Sequence, residues 1–168
     1  SDNDAAGNDD DVPGAAGGGG LFNEGGTMVL QLNSVVSNNR ATGAQSTGGG
    51  ILNAAGSLEV SDSEISGNES NRAGGGIETN GDSSVVLNNT NLDDNFTGVV
   101  TGAGAPGNGG GLHVSGAAPV TITGGTVNGN TAAKEGGGLW NNQGVLTING
   151  GTINNNDAQG DLVAPDAD

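Results

Sequence analysis

The sequence predicts an all-β chain wound as a parallel β-helix, or β-solenoid, of about five coils with three short strands each. Two observations carry this reading. A block of three glycines followed by Leu or Ile recurs at 18–21, 48–51, 74–77, 109–112 and 136–139. Self-similarity at intervals of roughly 20–50 residues marks an architecture of stacked repeats. After each block, aliphatic residues and one asparagine return at matching spacing.

Taken in order, each repeat opens on its glycine block. A short Asn- and Gly-rich stretch follows, as in Asn53–Gly56 or Asn141–Gly144, and is expected to turn. Next comes an alternating pair: Leu58 and Val60, Val85 and Leu87, Val120 and Ile122, Leu146 and Ile148. Period-two alternation is the signature of a strand with one buried face. A further aliphatic closes the apolar set (Ile65, Leu92, Val127, Ile153), and an asparagine follows it (Asn68, Asn95, Asn130, Asn156). The first repeat keeps Val36 and Asn39, but Leu30 and Leu32 stand as its pair, one residue closer to Val36. That slip reads as an imperfect terminal repeat. No stretch has the 3.6-residue apolar period and caps of a helix. The 36 glycines in 168 residues disfavour helix further, at about 0.5–1 kcal/mol for each interior position.

A single coil cannot bury its inward side chains, but stacked coils can. Each strand then pairs in parallel with its equivalent one coil above, at about 4.7–4.9 Å. Leu21, Ile51, Ile77, Leu112 and Leu139 are expected to form one inward column, and the alternating pairs and following aliphatics the others. The column Asn39, Asn68, Asn95, Asn130, Asn156 stands where the chain must turn sharply. Asparagine tolerates a left-handed backbone, and its amide can bond to equivalents above and below. A row of amides that binds carbohydrate is the alternative for this column. Residues 18–156 are assigned to the solenoid and 157–168 to an acidic C-terminal tail. Residues 1–17 form an acidic N-terminal segment, part of an incomplete coil if Asn8 is the equivalent of Asn39. Uncapped coils leave strand edges that invite another chain, so the expected partners are copies of this chain, end to end, or the rest of a longer parent chain.

The net charge of −16, with only three basic residues, argues against nucleic acid or anionic lipid as partner. Asp2, Asp4, Asp9, Asp10 and Asp11 cluster at the start, with Asp157, Asp161, Asp166 and Asp168 near the end. These are solvated tails or, on the sharper reading, a calcium site built from the first five. No apolar run approaches the roughly 18 residues of a membrane span, so no membrane insertion is expected. The chain has no cysteine, which a solenoid core tolerates even outside the cell. Its start reads as mature or excised rather than as a signal peptide.

Few residues suggest chemistry. His113, the sole histidine, follows an inward leucine and so should face outward, in a column with Phe22, Leu52, Glu78 and Trp140. Glu78, one coil below, is the nearest carboxylate for a general base. Phe22, Leu52 and Trp140 are read as an exposed contact surface or as a floor under loops such as 96–108. Asp93-Asp94 is a pair of corner aspartates without a third acid in register. Arg40, Arg72 and Lys134 share one variable turn near Glu69 and Glu135, as surface ion pairs would. Asn68, Asn88 and Asn95 begin N-x-S/T triplets, the acceptor pattern for N-glycosylation.

The block GGG-[IL] with aliphatic-x-x-Asn resembles the repeats of right-handed parallel β-helices in the pectin-lyase-like group. It is similar to the GGA[ILV]/FxxN repeats of polymorphic outer membrane proteins and autotransporter adhesins. The matching residues are Ile51 with Ile65–Asn68, Ile77 with Leu92–Asn95, Leu112 with Val127–Asn130, and Leu139 with Ile153–Asn156. Ile, Leu or Val stands where that family has Phe. The resemblance covers about residues 18–156 and implies a right-handed coil, as the crossover preference does. The resulting expectation is a non-enzymatic structural solenoid, extracellular or on the cell surface, working as a stalk, an adhesin segment or a filament subunit. Surface glycans or a host or cell-surface protein are its further expected partners. The alternatives are a fragment of a polysaccharide-active β-helical enzyme and a calcium-dependent carbohydrate-binding module.

Overall fold

A computed structural model describes residues 3–5, 17–98 and 107–160. Among them there is no helix, and every strand pairing is parallel. The chain winds as a β-solenoid of about five coils with three sheets. The first coil holds β1 (Leu21–Leu30), β2 (Val35–Ser37) and β3 (Arg40–Ala41). The second holds β4 (Ile51–Ser61), β5 (Glu64–Ser66) and β6 (Glu69–Ser70). In later coils the long first strand divides in two. The third has β7 (Ile77–Thr79), β8 (Ser83–Asn88), β9 (Asn91–Asp93) and β10 (Phe96–Thr97). The fourth has β11 (Leu112–Val114), β12 (Val120–Thr123), β13 (Thr126–Asn128) and β14 (Thr131–Ala132). The fifth has β15 (Leu139–Asn141), β16 (Leu146–Asn149), β17 (Thr152–Asn154) and β18 (Asp157–Ala158). β18 thus carries a sheet beyond residue 156. Residues 3–5 add one more rung, for Asp4 bridges to Arg40 in parallel.

The register follows the repeat. Ile51 pairs with Ile77, Leu112 with Ile77 and Leu139, and Val36 with Ile65. The core is a set of aliphatic columns in which Ile51, Val60, Ile65, Ile77, Val85, Leu92 and Leu112 have no exposed surface. Val114 and Ala118 enlarge it in the fourth coil. Ile148 and Ile153 were expected inside, yet they are 42% and 50% exposed. Their columns end there, so nothing among the described residues lies above them.

Three corners close each coil, and each uses left-handed backbone. At one corner it is the first glycine of the block, with φ from 61° to 67° in all five. At another it is the residue before the column asparagine: Asn38, Gly67, Asp94, Gly129 and Asn155. The expectation that the column asparagines turn the chain themselves is therefore corrected. Their predecessors make the bend, and the asparagine side chain is aimed into the corner. The second glycine of each block has another constraint. An added Cβ at Gly49 would lie 2.5 Å from the carbonyl oxygen of Gly75 and closer still to that of Glu69.

Two further expectations are corrected. The inward pair of the first coil is Met28 and Leu30, which pair with Leu58 and Val60. Leu32 is 80% exposed at a corner, with φ 60°. The extra residue of this coil sits in that corner, where Leu32 and Asn33 are both left-handed. The second concerns Asn53–Gly56, which does not turn but runs inside β4 as an irregular extended segment against β1. Gly25 and Gly56, at φ 99° and 101°, absorb the distortion.

Gly49→Ala is expected to lower stability by about 3 kcal/mol or more, because two backbones must separate. Urea unfolding followed by circular dichroism checks this, and a loss below about 0.5 kcal/mol, the scale of an ordinary surface change, would refute the packing argument.

Candidate functional site

The column of asparagines forms a continuous buried ladder. The Oδ1 of Asn68 accepts from the backbone N–H and the Nδ2 of Asn39, both at 3.0 Å. Asn95 does the same for Asn68, Asn130 for Asn95, and Asn156 for Asn130. Each Nδ2 spends its second hydrogen on a carbonyl of the coil below. Asn68 donates to Val36, Asn95 to Ile65, Asn130 to Leu92 and Asn156 to Val127, at 2.7–2.9 Å. Asn68, Asn95 and Asn130 are wholly buried. The carbohydrate-binding alternative for this row is thereby corrected, since a ligand cannot reach these amides. Asn3, not Asn8, occupies the rung below Asn39, donating to its Oδ1 at 2.9 Å. Asn8 lies outside the described residues. A shorter ladder, Asn23 to Asn53 at 2.8 Å and on to Thr79 at 3.4 Å, runs on β1, β4 and β7, the strands that follow the glycine blocks. The two-residue offset of Asn23 and Asn53 from the block's aliphatic was its sequence signal.

The outer column of the largest sheet behaves differently from expectation. Leu52, Glu78 and His113 are 1%, 1% and 3% exposed. Phe22 is half exposed and Trp140 partly buried. Phe22, Leu52 and Trp140 therefore do not form one exposed contact surface: the middle of their column is shielded. Residues 99–106 of the loop expected to cover it lie outside the described residues. His113 Nδ1 meets Glu78 Oε2 at 2.6 Å. Against a carboxylate oxygen, Nδ1 carries the hydrogen and donates. Ser115 Oγ donates to the other oxygen, Glu78 Oε1, at 2.8 Å. The imidazole stacks on Trp140, centroids 4.3 Å apart and planes within 5°. Trp140 Nε1 and Asn108 Nδ2 both donate to Glu135 Oε2, at 3.2 and 3.4 Å. His113 Nε2 is buried without a described hydrogen-bond partner. An imidazole oriented by a carboxylate has the form of a general base, but here its far nitrogen is buried and out of a substrate's reach. Glu78 was legible as its partner. Ser115 was missed, although two residues beyond His113 on a strand is the same face.

The remaining acids serve the stack. Asp93 accepts from Thr126 Oγ1 at 2.9 and 3.0 Å and from the N–H of Asn128 at 3.1 Å. Asp94 is the left-handed corner residue beside it. Arg40 pairs with Glu69 at 3.2 Å on the surface, a contact of about 0–1 kcal/mol. Asp4 accepts from Thr42 Oγ1 at 2.9 Å. Asp2, Asp9, Asp10 and Asp11 lie outside the described residues, and among the described ones no three potential ligands gather around a metal position. Asn68 and Asn95 are corrected as glycosylation acceptors, because their Nδ2 atoms are buried and both hydrogens are used in the ladder. Asn88, at the end of β8, is partly exposed.

Asn95→Ala removes the acceptor for two buried donors and is expected to cost about 2–5 kcal/mol. Asn156→Ala likewise removes the acceptor of two donors, those of Asn130, but on the last described coil, where water can replace it, so it should cost less, about 1–2 kcal/mol. A larger loss at Asn156 than at Asn95 in unfolding experiments would contradict the ladder. Glu78→Ala is expected to cost about 3–5 kcal/mol, leaving a buried imidazole and hydroxyl without a partner. His113→Ala should red-shift the emission of the sole tryptophan as water reaches Trp140, and an unchanged spectrum would exclude the stacked arrangement. No protein-family model, curated protein or solved structure matches this chain.

Proposed function

We propose that this chain is a non-enzymatic structural segment of an extracellular or cell-surface assembly, a right-handed solenoid serving as stalk, adhesin segment or filament subunit. The observation that supports it is where bonding capacity remains. Along the body, amides and acids such as Asn68, Asn95 and Asp93 are consumed between coils. At the last coil, by contrast, Val145, Ile148 and Ile153 are 70%, 42% and 50% exposed beside strand edges. Among the described residues, a body whose polar groups are largely paired between coils and whose last coil exposes its apolar columns is suited to axial extension. The repeat resemblance to surface adhesins supports the location, and fold-level likeness enters here as analogy.

A second reading is a polysaccharide-active enzyme, for which the Glu78–His113 pair is the described arrangement closest to a general base; its Nε2 is buried, so a substrate would first have to displace what covers it. The test is release of reducing ends from a panel of neutral and acidic polysaccharides. The structural reading expects none above a heat-denatured control. Release by the folded chain that His113→Ala abolishes would overturn it in favour of the enzyme.

A further inference from the structure

The two ends of the solenoid carry the same tripeptide. Asn3-Asp4-Ala5 lies beneath the first coil, and Asn156-Asp157-Ala158 ends the fifth. The lower copy occupies a definite seat. Arg40 N–H donates to the Asn3 carbonyl and Ala5 N–H to the Arg40 carbonyl, each at 2.8 Å. Asn3 Nδ2 bonds Asn39 Oδ1, and Asp4 accepts from Thr42. The upper copy stands in the same sheet column, five rungs above the lower one and four above Arg40, since Asp4 aligns with Arg40 and Arg40 in turn with Glu69, Phe96, Thr131 and Asp157.

We propose that Asn3-Asp4-Ala5 is an internal clip that mimics the last coil, and that a second copy of this chain docks head to tail by displacing it with its own Asn156-Asp157-Ala158. This deepens the structural reading above and rests on it.

Four observations support the exchange. The first is the identity of the tripeptides, so every contact made by the clip can be remade by the incoming coil. The second is apolar fit. The lower end has an open cavity of about 430 Å³ walled by Leu21, Met28, Leu30 and Val36, while Leu139, Leu146, Ile148 and Ile153 head the matching columns at the upper end. The third is ladder polarity. Amide donors point up the stack and Oδ1 acceptors point down. Asn156 therefore offers its backbone N–H and one Nδ2 hydrogen to whatever lies above. Among the described residues, Asn39 Oδ1 accepts one bond, from Asn3 of the clip, where Asn68, Asn95, Asn130 and Asn156 each accept two. In the junction it accepts two from Asn156, and Asn39 Nδ2 reaches the Ile153 carbonyl as Asn68 reaches that of Val36. One clip bond gives way to three. Head-to-head contact would set donor against donor. The fourth is charge, for Asp157 would come to lie beside Arg40 where Asp4 lies now.

The test uses the full chain. Sedimentation velocity over a concentration series is expected to show linear oligomers, and Asn3→Ala with Asp4→Ala to strengthen association about tenfold by weakening the clip. Ile148→Lys with Ile153→Lys should hold the chain monomeric with its circular dichroism spectrum unchanged. Geometry is read with Arg40→Cys and Asp157→Cys in one chain. Within a molecule these lie about 19 Å apart, four strand spacings, beyond the reach of a disulfide. Across the junction they are adjacent, and oxidation should give a ladder of covalent multimers. Arg40→Cys with Thr147→Cys, on different sheets, should not. The proposal is overturned if the clip-weakened chain stays monomeric at every concentration, if both cysteine pairs cross-link equally, or if weakening the clip lowers association. Each outcome is independent of the polysaccharide assay, so failure of the exchange leaves the structural reading standing.

Discussion

The constraint on which the rest depends is the buried amide ladder at the corner between two sheets. A parallel solenoid must repeat its backbone path at one strand spacing, and a corner is where that path most easily drifts. The ladder holds it by joining each coil to the next through one Oδ1 that accepts two donors. Because Asn68, Asn95 and Asn130 are fully buried, leaving these groups unpaired would carry the full desolvation cost. The hydrogen bonds thus specify register as well as adding stability. A coil shifted by one residue would put a side chain of the wrong chemistry on the rung.

Glycine makes a second corner, and its close approach to the ladder, geometrically feasible. The first residue of each block turns with a left-handed backbone, while the second and third let neighbouring coils approach closer than any Cβ allows. The third glycine also lies against the ladder: a Cβ on Gly50 would come within 3.0 Å of Asn68. Block and asparagine, far apart in each repeat, are two sides of one contact. The aliphatic columns supply the bulk of the burial, but they tolerate exchange among Leu, Ile, Val and Met. The glycine–asparagine contact does not.

The outer face of the large sheet follows a different logic. There, Leu52, Glu78, His113 and Trp140 share a column yet differ in character. Apolar packing, a carboxylate–imidazole contact and a ring stack succeed one another from coil to coil. Such variation is what a repeat permits where it is not constrained by its own neighbours above and below. A buried ionisable pair is costly to form and costly to break, and here it is confined to two adjacent coils.

The sequence alone determined the fold class, the inward columns from the second to the fourth coil, and the asparagine ladder. All three follow from spacings repeated within the chain, and a repeat places its equivalents in contact by construction. Only the tertiary structure decided that Met28 rather than Leu32 faces the core, because a corner can absorb an extra residue without altering the apolar count. It also decided that Leu52 and His113 are shielded, that Asn68 and Asn95 are closed to modification, and that Asn3 completes the ladder. Each of these depends on what lies opposite a residue in space. Alternation along a strand tells the two faces of a sheet apart, but it carries no record of what covers the outer one.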